Sequence, residues 1–187
     1  MRHTIEEYGK VAEITGFFGA SFSRVDAFLK ANRKQAHNEI DLQFFDAELI
    51  ATSEHLYFAA LNALQAFQNK TNISKTVAVE TMLYASAKRQ IQKAINLIGV
   101  KPESETIAIV IVSSSEKQVQ EAIEKLTAYL GVEPDDCLLD LTPRKVDKIR
   151  GAFQIGDREI ETATKTTPET ALVDLIVEHI ALLSTQL

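Results

Sequence analysis

The sequence predicts an α/β chain of the mixed α+β kind, with a small mixed or antiparallel sheet packed against several helices in a single domain over residues 1–187. Three observations lead there. Thr106–Val112 is an almost unbroken β-branched run, which suits a central strand covered on both faces. Ile40, Leu42 and Phe44 alternate with Asp41 and Gln43, as a half-buried strand requires. Most of the remaining apolar residues recur at helical spacing, and too few regular strand–helix–strand units appear for a doubly wound fold.

Taken in order, Lys10–Phe17 reads as a strand closing at Gly16 and Gly19. Ser23 is expected to cap a helix that buries Val25, Phe28 and Leu29 and ends at the basic pair Arg33-Lys34. The strand Ile40–Phe44 follows. Ser53–Gln68 reads as a helix apolar nearly all round, so it should be covered on most sides. Ser74 is expected to cap the next helix, with Val77, Leu83 and Tyr84 inward and Glu80 at its middle. After a break near Ala85–Ser86, a further helix carries Ile91, Ala94, Ile95 and Ile98 at i, i+3, i+4 and i+7, one apolar face closed by Gly99.

Past the central strand, Ser115 and Gln118 have capping-box spacing, and the helix after them buries Val119, Ile123, Leu126 and Leu130 before Gly131. Cys137–Leu141 reads as a short strand. Thr142-Pro143 opens a helix with Arg144, Lys145, Lys148 and Arg150 outward and Val146 and Ile149 inward. Phe153 and Ile155 lie in an apolar stretch between Gly151 and Gly156, either as core or as a partner surface. The last helix, after Thr167-Pro168, carries more apolar residues than one packing face needs, either as part of an interface or as a helix buried in the core.

Composition narrows the function. The net charge of -6 gives no global pull on nucleic acid, so any such contact must come from a local basic patch. One cysteine, Cys137, excludes a disulfide framework and a cysteine-rich zinc site. No apolar run approaches membrane-spanning length and the first residues form no signal region, so a cytoplasmic protein without membrane contact is expected. The chain has no HExxH, GxSxG or glycine-rich phosphate loop, which favours a non-enzyme without metal or cofactor. A small enzyme could use His55 and Glu80 as an acid–base pair, against the plainer reading of a structural histidine and a surface or salt-bridged glutamate.

Ser86 stands out as a helix N-cap followed by Lys88 and Arg89, where the helix dipole prefers acids; capped amides with two cations beside them suit a phosphate, while a solvated basic face is the plainer reading.

The stretch Glu80–Gly99, with the segment from His55 to Phe67 before it, resembles the CGI family. The resemblance is carried by His55-Leu56, Ala59, Ala63, Phe67, Glu80, Leu83, Tyr84-Ala85-Ser86, Lys88-Arg89-Gln90-Ile91, Ala94-Ile95 and Gly99. Members of that family, related to TPRKB, are the small kinase-binding subunit of the KEOPS (EKC) complex, which installs threonylcarbamoyl on the adenosine beside the tRNA anticodon. The resemblance implies a non-catalytic regulatory subunit with a mixed α/β fold. It would bind the small lobe of a Bud-type atypical kinase/ATPase, stimulate it, and through it meet the threonylcarbamoyltransferase subunit. It would also help to capture tRNA by the 3′ CCA end. On this reading Ser86, Lys88 and Arg89, with Tyr84 stacking on a base and Lys93 adding a phosphate contact, form the tRNA site. Arg144, Lys145 and Lys148 form a second candidate patch, with a solvated basic face as the plainer reading. Phe153, Ile155, Ile176 and Ile180 are assigned to the kinase contact. Ala87 stands where the family often has glycine, a change expected to be tolerated at a helix start. The alternatives are a stand-alone RNA-binding domain and the small enzyme built on His55 and Glu80.

Overall fold

The central strand β4 (Thr106–Ser113) runs between β2 (Lys10–Phe18) and β3 (Ile40–Asp46), and β1 (Arg2–Ile5) completes the order β1-β2-β4-β3, every pair antiparallel. This is a computed structural model, and it describes residues 1–32 and 40–185. The expected end of the first helix at Arg33-Lys34 therefore lies outside the described residues. Among them are eight α-helices: α1 (Phe22–Asn32), α2 (Ser53–Gln68), α3 (Val77–Ala85), α4 (Ile91–Ile98), α5 (Glu116–Leu130), α6 (Pro143–Phe153), α7 (Asp157–Ala163) and α8 (Pro168–Leu183). The result is a mixed α+β fold with an antiparallel sheet, as the sequence predicts.

The run in β4 is apolar on both faces because helices cover both. Successive side chains of a strand point to opposite faces. Ala108, Val110 and Val112 join the larger core, with residues of α2, α3, α4 and α8, while Ile107, Ile109 and Ile111 join α1 and α5 in a second core. Each fully buried Ile or Val contributes roughly 1.5–3 kcal/mol by leaving water. In α8 the inward residues are Leu172, Ile176, Ile180 and Leu183.

Several local expectations change. Phe22 already belongs to α1, so the helix starts before Ser23, and Arg24 N donates to Ser21 O. Thr76, not Ser74, caps α3, its side chain accepting from Val79 N. Ser115 is the N-cap of α5 but makes no side-chain cap bond; the Ser113 hydroxyl donates to the Gln118 side-chain oxygen and accepts from Ser115 N instead. Cys137–Leu141 is no strand. Asp135 accepts from Cys137 N and winds Asp136–Leu139 into a 3-10 turn. That turn sits on β2 at Gly16, where a Cβ would fall 2.7 Å from Leu138 Cβ. β1 and α7 are additions to the sequence reading.

Candidate functional site

Between α3 and α4 the chain does something other than start a helix. Ser86 is the C-cap of α3, and its hydroxyl donates to Leu83 O at 3.0 Å. Ala87 N donates to Tyr84 O at 2.9 Å and Lys88 N to Leu83 O at 3.1 Å. Those two bonds, with Ala87 at φ 50, make a Schellman closure. The amides expected to cradle a phosphate are thus spent on the carbonyls of α3. The next helix begins only at Ile91, after Gln90. Ala87 therefore occupies a left-handed C′ position rather than a helix start, and this is a physical reason for glycine at such a site.

Of the residues assigned to tRNA, Ser86 is fully buried and Tyr84 is 6% exposed, so the ring has no face to offer a base. Burial, with the Glu80 carboxylate nearby, raises the Tyr84 phenol while Arg89 pulls it the other way. Lys93 and Arg89 are exposed and Lys88 is half-buried. The Arg89 guanidinium lies 3.5 Å from Leu183 O, at the C-terminal end of α8, where a cation meets the negative end of the helix dipole. The geometry thus keeps a small basic surface and removes its aromatic and hydroxyl members.

His55 and Glu80 are both buried and both occupied. Ala51 N donates to His55 Nδ1 at 3.2 Å, so the proton sits on Nε2, which donates to Ala85 O at 2.7 Å. Burial pushes this imidazole down to about 4, against the opposing effect of the Ala85 bond. His55 is a structural histidine joining α2 to the end of α3. Glu80 is buried and, among the described residues, not salt-bridged: its carboxylate accepts from Ile73 N and Ser74 N and ties down the turn before α3. The two are therefore no acid–base pair open to a substrate.

The second basic patch also resolves into structure. Arg144 and Lys148 pair with Glu48 at 3.3 and 2.7 Å. Lys145 is buried rather than outward, donating to Leu138 O and Asp140 O, and burial lowers its ammonium to about 8.

Phe153, Ile155, Ile176 and Ile180 belong to the larger core, each 6% exposed or less, so they form no partner surface. Phe153 packs edge-on against the His55 ring, and Ile176 and Ile180 are fully buried on α8, which packs against α2, α3, α6 and α7. Exposed apolar surface lies elsewhere. Ala94 and Ile98 are buried under α4, but Ile91 and Ile95, expected on the same buried face, are each 43% exposed. With Leu29 of α1, also 40% exposed, they edge a groove of about 800 Å³. Its floor is Ile40–Phe44 of β3, and Val79 and Met82 of α3 and Ala122 of α5 add to its walls. The sequence signal for this groove was present in α4, where Ile91, Ala94, Ile95, Leu97 and Ile98 give an eight-residue helix more apolar surface than a short helix can bury on one neighbour.

The family model described as "Kinase binding protein CGI-121" matches residues 23–184 of this chain. The chain is also similar to the protein named "Regulatory protein Cgi121" of Methanocaldococcus jannaschii, with 28% identity over 128 residues, 65% of this chain and 80% of the relative.

Proposed function

Since the chain belongs to the CGI-121 family, we propose that it is a regulatory, non-catalytic protein that docks a protein kinase through the groove edged by Leu29, Ile91 and Ile95. The observation that carries this is the exposure of Ile91 and Ile95, since contiguous apolar surface left open to water in a concave site is what a partner covers. In the finer reading the partner is a Bud-type atypical kinase/ATPase, contacted on its small lobe and stimulated. Through it this subunit meets the threonylcarbamoyltransferase of a KEOPS complex. Lys88, Arg89 and Lys93 then help to hold tRNA at its 3′ CCA end, with phosphate contacts and no stacking on Tyr84. The burial of His55 and Glu80 supports a non-catalytic role.

Co-expression with the Bud-type kinase of the same genome tests this. The two proteins are expected to co-purify, and the double variant Ile91→Asp, Ile95→Asp is expected to break the complex while leaving thermal unfolding nearly unchanged. A complex that survives the double variant would move the interface off the groove. Absence of a complex with the unaltered chain would overturn the reading itself.

A further inference from the structure

Among the described residues, the groove floor is the unpaired edge of a sheet rather than one of its faces. Ile40, Asp41, Leu42, Gln43 and Phe44 all line it, although consecutive strand residues point to opposite faces. The direction of the backbone groups follows from the hydrogen-bond phase. Ile14 N donates to Met1 O and Gly16 O accepts from Asp135 N, both on the β1 side of β2. In an antiparallel ladder this direction alternates with residue number. Glu13 and Thr15 therefore bond β4 at their partners Ile111 and Ile109, and Val110 and Val112 bond β3 at Gln43 and Asp41. Ile40, Leu42 and Phe44 are left with N–H and C=O groups directed away from the sheet, into the groove. The Phe44 carbonyl accepts from the Gln43 side-chain amide at 3.0 Å. β3 is the last strand in the order, so no further strand among the described residues meets Ile40 and Leu42.

We infer that this groove takes an extended segment of the protein partner as an added fifth strand along β3. An edge strand offers a row of main-chain donors and acceptors that an incoming segment pairs with, while side-chain pockets supply selectivity. Here one face of the added strand would meet the apolar wall of Val79, Met82, Ile91 and Ile95, and the other a mixed wall in which Phe22 and Leu29 of α1 stand beside Asp26 and Lys30, with Glu121 and Lys125 of α5. The occupant is thus an extended segment with apolar, preferably β-branched residues at alternate positions facing α3 and α4, and polar residues tolerated between them facing α1 and α5. An amphipathic helix would leave the edge amides unpaired in a closed groove, which is unfavourable. The inference rests on the reading that the chain docks a protein kinase and adds the mode of docking.

Amide hydrogen exchange on the full chain, alone and in its complex with the co-expressed kinase, tests this. Exchange at Leu42 is expected to slow by about tenfold or more in the complex, with little change at Val110, which is already bonded within the sheet. Leu42→Pro, which removes an outward N–H at a sheet edge where proline is tolerated, is expected to weaken the complex by about tenfold or more. A complex that forms with Leu42 unprotected overturns strand addition alone and leaves the kinase reading standing. No complex overturns both. A dimer of the isolated chain that Leu42→Pro dissolves would also overturn it, because the edge would then serve a second copy.

Discussion

At the scale of single residues, His55 and Ala87 show how local chemistry fixes the middle of the chain. The His55 ring is buried neutral, with Ala51 N and Ala85 O on its two nitrogens. Its folded value of about 4 lies below the ordinary 6.5, so the unfolded chain binds this proton more readily. The stabilising effect is fully present above the unfolded value and is lost as pH falls from 6.5 toward 4, by about 3 kcal/mol. Urea unfolding across that range is expected to give a shallower pH dependence for His55→Gln than for the unaltered chain; equal slopes would remove the assignment. Ala87 makes the opposite point. A residue with a Cβ at φ 50 is held in the left-handed region at a cost of about 1 kcal/mol. Ala87→Gly is expected to raise the melting temperature by about 2–4 °C in a chain of this size, and a decrease would show that Cβ contacts outweigh the strain.

At the scale of elements, α4 is the informative case. Its buried pair, Ala94 and Ile98, holds it to the core, while Ile91 and Ile95 face the groove. Ile98→Asp is expected to destabilise by about 3 kcal/mol or more, through a buried unpaired charge, whereas Ile95→Asp is expected to change stability by less than about 1 kcal/mol. Chemical denaturation of the two variants separates them, and equal losses would mean that Ile95 is core. The sequence made the existence of α4 plain and could not divide its apolar face, because periodicity counts apolar residues and does not say which are covered by another element. The same limit explains Ile176 and Ile180, which read as surplus on α8 and are fully buried in the larger core. Elements whose character is local were legible: the β-branched run of β4, the alternation in β3 and the Gly131 stop of α5. Ser86 misled because serine suits both ends of a helix. Only the bonds from Ala87 N and Lys88 N back into α3 reveal a C-terminus.

At the scale of the whole molecule, charge sets what the protein does alone and what it needs help to do. A net charge of -6 opposes polyanions, and the basic candidates reduce to Lys88, Arg89 and Lys93. Two or three phosphate contacts to single-stranded RNA give a salt slope of about −1.5 to −2 in log K against log salt. The isolated chain is therefore expected to bind tRNA weakly in gel shifts, with Lys88→Glu and Arg89→Glu together flattening the slope. A slope steeper than about −4 would point to a larger basic surface than these three residues supply.

The imidazole between α2 and α3 also supplies a built-in reporter. Its Nε2 proton is sealed from water and held on Ala85 O, so in a nitrogen–proton correlation spectrum it should persist as a slowly exchanging signal outside the backbone amide region. α3 carries both that acceptor and, one to two turns earlier, the Val79 and Met82 walls of the groove. A partner that shifts α3 would move this one line, and docking could be followed without attaching a label.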